Sequence, residues 1–254
     1  MKKTKVFLNV IMILLVSVCI AKKRPPDPIV VRVPAKFDFS PPSRALAASA
    51  GITIALVKPL YVGKNPEYYV PPFNEMASSM ANDFEELLTA KGFTVRGPFG
   101  SRDEMVFNDK QNSNFILEIG IELKPEYNRK DSPTKIFVIG GQPSVTYDHK
   151  MSGEITLSGN LILNVKSSQY GELIWKKNIA LEAASFTYNG SMTWRGNTPT
   201  MAEELKQDNL VYNTLSVELE KFYQKSFKLA WQQIDPQEMI SVADQAKKAD
   251  KKGN

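Results

Sequence analysis

Ile155-Thr-Leu-Ser-Gly-Asn-Leu-Ile-Leu-Asn-Val165, then Ser167-Ser-Gln-Tyr-Gly171, then Leu173-Ile-Trp-Lys-Lys-Asn-Ile-Ala-Leu-Glu-Ala183, is the stretch on which the fold turns. Ile155, Leu157, Gly159, Leu161, Leu163 and Val165 alternate with polar or wetter residues, so one face of an extended strand is apolar. Ser167 to Gly171 supplies turn chemistry. Leu173, Trp175, Ile179, Leu181 and Ala183 then carry the pattern back, which predicts a long antiparallel hairpin. The step from Trp175 to Ile179 leaves Lys177 on the inner face and suggests a bulge nearby.

Upstream of the hairpin, Phe115, Leu117, Ile119, Ile121 and Leu123 alternate with Glu118, Gly120, Glu122 and Lys124. This is another strand with one wet face. Ile52 to Tyr61 is rich in branched apolar residues and reads as a buried strand. Phe73, Met76, Ala77, Met80, Phe84, Leu87 and Leu88 trace one face of a helix from Phe73 to Lys91, and Gly92 fits the position just past its end. Phe93 to Val95 opens a further strand, so strand, helix and strand predict a parallel first pair. Lys135 to Ile139 is a short strand before Gly140-Gly141, and Pro125 to Lys135 reads as a polar loop.

Downstream, a helix is expected from about Met201 to Ile234, with Leu215, Leu219, Phe222, Ser226, Leu229 and Ala230 as its buried stripe and Pro236 as its breaker. The fold class is α+β: a mixed, mainly antiparallel sheet with long helices packed on one face. A single domain is expected over 46–240, preceded by a Pro-rich tether over 22–45 and followed by a basic, frayed tail over 241–254. The tether reading rests on Pro25, Pro26, Pro28, Pro34, Pro41 and Pro42, since proline fixes φ and removes a donor.

The N-terminus has its own logic. Met1 to Lys5 carries three lysines, Val6 to Val18 is apolar apart from Asn9 and Ser17, and Cys19 follows. A basic start and a short apolar run form an export signal over 1–21. The run is too short for a bilayer core, which takes roughly 20 helical residues. Two endings compete. Val16-Ser17-Val18-Cys19 is an imperfect lipobox that would leave Cys19 as a lipidated N-terminus; the alternative is cleavage after Ala21 and a periplasmic or secreted chain. Cys19 is the one cysteine of the sequence, and exported proteins seldom keep an odd free thiol, so lipidation is the expectation. The formal charge of +5 loses three lysines with the leader, leaving +2, which makes no case for a nucleic-acid partner.

Several chemistries lack their residues. With one histidine, His149, and no cysteine beyond Cys19, zinc sites built from those ligands are excluded. The nucleophile pattern G-x-S-x-G is absent, and Gly140-Gly141 is no phosphate loop. Glu118 and Glu122 share a strand face, where a solvated face is the simpler reading. No enzyme activity and no cofactor are expected. Binding candidates are the cations Arg129, Lys130 and Lys135 of the expected loop, because guanidinium and ammonium groups grip carboxylates. A second group is Tyr188, Trp194 and Arg195, where an aromatic face can stack on a sugar.

Phe37-Asp38-Phe39-Ser40-Pro41, Ala55-Leu56-Val57-Lys58-Pro59, Leu87-Leu88-Thr89-Ala90-Lys91-Gly92-Phe93-Thr94-Val95, Leu123-Lys124-Pro125 and Trp231-Gln232-Gln233-Ile234-Asp235 occur in an order that resembles the Helicobacter-type neuraminyllactose-binding hemagglutinin family, the adhesin A lipoproteins. The resemblance implies a lipoprotein of the outer membrane or flagellar sheath, anchored through Cys19, with sialylated host glycans or envelope and flagellar proteins as partners. It places that family's basic glycan-binding segment at Arg129, Lys130 and Lys135, here interrupted by Asp131 and Pro133. A structural or assembly lipoprotein with no small ligand is the alternative.

Overall fold

The long hairpin is the spine of the molecule in the computed structural model, which describes residues 30–138 and 144–252. The export signal, Cys19 and the start of the tether lie outside the described residues. In chain order the elements are β1 (Thr53–Val57), β2 (Leu60–Tyr61), α1 (Phe73–Ala90), β3 (Thr94–Phe99), the short α2 (Phe107–Gln111), β4 (Phe115–Asp131), β5 (Thr134–Val138), β6 (Ser144–His149), β7 (Met151–Lys166), β8 (Leu173–Asn189), β9 (Trp194–Arg195), α3 (Met201–Gln207), α4 (Asn209–Gln233) and α5 (Pro236–Lys252).

The main sheet runs β3-β1-β4-β7-β8, with β2 continuing beside β4. β1 is parallel to β3, as the strand-helix-strand reading expects, and also to β4, while β4–β7 and β7–β8 are antiparallel. The fold is therefore α+β with a mixed, mainly antiparallel sheet. One apolar cluster joins the inner residues of the sheet, such as Leu56, Leu117 and Leu161, to Met80, Phe84, Phe222, Phe227 and Ala246 of the helices. Each leucine, methionine or phenylalanine among them contributes about 1.5–3 kcal/mol when fully buried, so this layer dominates stability.

α1 matches its expected span. Past its end, Gly92 adopts φ +88°, and the amides of Gly92 and Phe93 close on Thr89 O and Leu88 O at 2.9 and 3.2 Å. That left-handed turn suits glycine, which has no Cβ to clash.

Five local expectations are corrected. First, 125–131 is strand, not loop: β4 pairs with β7 without interruption to Asp131↔Met151. Pro125 is tolerated because β1 and β2 pair with β4 only as far as Ile121, leaving an open edge beyond it. Second, the β7–β8 register shifts twice, between the pairs Leu157↔Ala184 and Gly159↔Leu181 and again between Val165↔Trp175 and Lys166↔Leu173. A bulge does lie beside Trp175, while Lys177 itself pairs in register with Leu163. The first shift leaves Ala183 exposed, and Ala184, Phe186 and Tyr188 continue the inner face. Lys177 stays inward because its Nζ reaches Gln233 O and Glu238 Oε2, each at 2.9 Å.

Third, the C-terminal helix is two helices. Thr200 and Glu203 form a capping box for α3, and Asp208 ends it and caps α4 by accepting from the Leu210 amide at 3.0 Å. Fourth, Pro236 begins α5 rather than only ending α4; the first turn of a helix has no need of its missing N–H, and Asp235 accepts from the Gln237 amide at 3.0 Å. The tail is helical to Lys252, and Val242, Ala243 and Ala246 on it are buried. Fifth, the tether's second half is part of the domain. Residues 30–39 run along α4, Phe37 and Phe39 are buried, and the Val33 amide donates to Asn213 Oδ1 at 2.8 Å.

Candidate functional site

The strand geometry of β4 decides what its cations can do. Alternation sends Tyr127 and Arg129 toward the helices and leaves Lys130 exposed on the opposite side. Arg129 Nη2 donates to Pro199 O at 2.7 Å and ion-pairs with Glu204 Oε1 at 3.1 Å. Glu204 is 1% exposed, and the Tyr188 hydroxyl donates to its other oxygen at 3.4 Å. Burial raises the Glu204 pKa above the usual carboxylate range, and the Arg129 charge works against that rise. Burial likewise raises the Tyr188 phenol. Arg129 and Tyr188 thus belong to an internal polar cluster under α3. Arg129 and Lys130 therefore point to opposite sides of β4 and do not converge.

Lys135, Trp194 and Arg195 sit on a second, three-stranded sheet, β5-β6-β9. Lys135 faces Tyr147 across β5 and β6, and Trp194 faces His149 across β6 and β9. These side chains, with Val145, share one face of the small sheet. Arg195 points the other way, beside Asp148 at 3.5 Å, so the adjacent Trp194 and Arg195 do not converge on one small ligand. On that side Thr134, Asp148, Lys150, Thr193 and Arg195 line a shallow open cup.

A polar latch ties the small sheet to the main one. His149 Nδ1 lies 2.7 Å from Asp131 Oδ2, and the Thr198 hydroxyl donates to the same oxygen at 3.3 Å. Asp208 anchors the loop before β9, accepting from the amides of Ser191 and Met192 at 2.6 and 2.8 Å.

Reading by residue type missed Tyr147, Val145 and Lys150. The signal was the period-2 pattern Val145-Thr-Tyr147-Asp-His149, which marks a strand with one apolar face. It also missed an open groove along α4, where Phe39, Pro42, Lys225, Lys228 and Gln232 surround Trp231.

The carboxylates suggested by the sequence are separately engaged on the outer sheet face. Glu118 holds Lys166 at 2.6 Å, and Glu122 accepts from Asn160 at 2.7 Å. Among the described residues no group of three or more His, Cys, Asp or Glu side chains could hold a metal ion, and no helix is long and apolar enough to cross a membrane.

No protein-family model matches the chain, and no curated protein does. Among solved structures, the chain is similar to a neuraminyllactose-binding hemagglutinin homolog from Helicobacter pylori, at 13% identity and a TM-score of 0.53, over 82% of this chain and 98% of that one. Lipoprotein GNA1162 from Neisseria meningitidis also matches, at 14% identity and a TM-score of 0.24, over 67% of this chain and 96% of that one. A minor lipoprotein from Acinetobacter baumannii matches at 12% identity and a TM-score of 0.16, over 66% and 89%. Overlap as low as in the last two carries no argument. The likeness to the hemagglutinin homolog, at its level of identity, is one of fold.

Proposed function

We propose that this chain is a lipid-anchored protein of the cell envelope, held by Cys19 in the outer membrane or flagellar sheath, with a structural or assembly role and no catalytic one. The observation that carries the choice over glycan binding at 128–135 is the Arg129–Glu204 pair: the best carboxylate-gripping cation of that segment is already committed inside the domain. Its Nη2 serves both a buried carboxylate and a backbone carbonyl, and with the side chain 23% exposed and turned toward α3 the guanidinium is held away from a sugar acid at the surface. The likeness in fold to a hemagglutinin homolog favours a second reading, a surface adhesin whose sialylated ligand meets Lys135, Tyr147 and Trp194 instead.

Two measurements test these readings. Fatty-acid labelling in the expressing cell is expected to mark the wild type and not Cys19→Ala; equal labelling of both sinks the anchor. Titration of residues 22–254 with sialyllactose is expected to show no saturable binding. Saturable binding lost in Trp194→Ala but kept in Lys130→Ala moves the conclusion to the adhesin.

A further inference from the structure

The tether leaves the domain beside the small sheet. Asn209 Nδ2 donates to Val30 O at 2.8 Å, and Arg32 Nη2 donates to Leu205 O at 2.7 Å. The preceding residue, Asp208, holds Ser191 and Met192, and Trp194 of β9 follows two positions later. Val30, the α3–α4 junction and the β5-β6-β9 arm therefore share one end of the molecule. Cys19 precedes Val30 by eleven residues. A chain reaches at most about 3.5 Å per residue, so a lipidated Cys19 keeps that end within roughly 40 Å of the bilayer.

The arm has the chemistry of an interfacial element. Val145 and Tyr147 are 48% and 45% exposed, although both lie on a strand face that also carries Trp194. Tyrosine and tryptophan suit the headgroup boundary because one end of each is apolar and the other polar. On the opposite side, Lys150 and Arg195 stand with the hydroxyl-bearing Thr134 and Thr193 around the shallow cup, which also holds Asp148, 3.5 Å from Arg195 Nε. Cations and hydroxyls together suit a phosphate. Lys130, Lys135, Lys150 and Arg195 outnumber Asp131 and Asp148, and Asp131 is occupied by His149 and Thr198. The arm thus carries a net positive charge next to the anchor. Cations near an anionic leaflet each add attraction that decays within about 10 Å in ordinary salt.

We infer that the β5-β6-β9 arm is a membrane-docking element that enters an anionic phospholipid leaflet edge-on, so that one face sets Tyr147 and Trp194 at the headgroup boundary and the other sets Lys150 and Arg195 on headgroup phosphate. This rests on the anchored reading for its biological setting. Its test does not use the anchor, so the two can fail separately.

The experiment is co-sedimentation of residues 22–254, which carry no fatty acid, with vesicles of phosphatidylcholine and of phosphatidylcholine mixed with phosphatidylglycerol. Binding to the mixed vesicles alone is expected. Lys150→Glu with Arg195→Glu is expected to weaken it about tenfold or more. Tyr147→Ser is expected to weaken it further, with circular dichroism and melting unchanged because these side chains are exposed. Lys225→Glu with Lys228→Glu, on α4, is expected to leave binding intact. Equal loss in the α4 variant, equal binding to both vesicle types, or no binding overturns the proposal. Full competition by inorganic phosphate assigns the cup to a free anion and overturns it too. So does Tyr147-dependent dimerisation of the chain without lipid, which makes a second copy the occupant.

Discussion

The Tyr223 hydroxyl donates to Asp83 Oδ2 at 2.6 Å, joining α4 to α1 through a carboxylate that is almost wholly buried. The same oxygen accepts from the Phe39 amide at 2.6 Å, so the N-terminal segment is tied to both helices at one atom. The rings of Phe37, Tyr223, Phe227 and Phe39 pack around this point, with centroids 4.7–5.3 Å apart along the series. A polar knot inside an aromatic cluster fixes where the segment after the tether can lie.

Asp83→Ala is expected to destabilise the domain by about 1–3 kcal/mol for each of the two donors it strands, read from the urea midpoint. Asp83→Asn keeps an acceptor and is expected to separate charge from hydrogen bonding. Burial raises the Asp83 pKa above its ordinary 3.8, and the bonds from Tyr223 and Phe39 only partly oppose this. A folded pKa above the unfolded one means that this carboxyl's contribution is complete below 3.8 and is lost as pH rises through the folded value. Wild type is therefore expected to lose stability relative to Asp83→Asn as pH rises through that window. Midpoints for both proteins across a pH series check this, and a relative gain by the wild type refutes it.

Arg129→Ala is expected to act on stability and not on a ligand. It leaves Glu204 buried and uncompensated, a loss of about 3 kcal/mol or more. Arg129→Met with Glu204→Leu removes both charges and is expected to recover most of that loss. A double-mutant cycle on melting measures the coupling. If Arg129→Ala melts like the wild type, the internal role assigned to Arg129 is wrong.

The difference between a free loop cation and an internal one was half legible. Leu123, Pro125, Tyr127 and Arg129 keep the alternation of the preceding strand, so the period was present in the sequence. Pro125 and the loss of aliphatic residues hid it. Glu204 lies far along the chain, and only the fold brings it under β4. β7, the start of β4 and α1 were readable because apolar residues recur along one face, whereas β8, with Lys177 inward and a shifted register, was readable only in part. The arm was harder: Tyr147 and Trp194 belong to short strands whose pairing is long-range, and no local pattern says that the tether exits beside them.

Gly159→Ala is expected to cost about 2 kcal/mol or more, large for a single methyl. A Cβ at Gly159 would fall inside contact distance of Glu122 O on the neighbouring strand, and that backbone cannot yield without breaking the β4–β7 ladder. Gly159 also lies beside a register shift of β8, so the close approach and the bulge fall at one level of the sheet. Ser158→Ala, one residue away on the wet face, is expected to change melting little. Equal effects of the two substitutions contradict the close-approach argument.

Removal of residues 241–254 tests the docking of α5. Lysines at 247, 248, 251 and 252 give the tail a frayed look, but Met239, Val242, Ala243 and Ala246 follow helical spacing and are all buried. The helix is also held from outside. Asp250 accepts from the Gln169 amide at 3.1 Å and from the Ser168 hydroxyl at 3.2 Å, pinning α5 to the turn of the long hairpin. Trp175 Nε1 donates to Glu238 Oε1 at 3.2 Å at its other end. Truncation therefore uncovers the inner face of β8 at its turn end and strands the Gln169 amide. The expected outcome is a fall of several kcal/mol in unfolding free energy and faster hydrogen exchange confined first to residues 168–180. Asp250→Ala, which keeps the apolar contacts, is expected to give a milder loss and exchange only at the turn. A truncated chain with unchanged melting and exchange would return the tail to the status of a loose appendage.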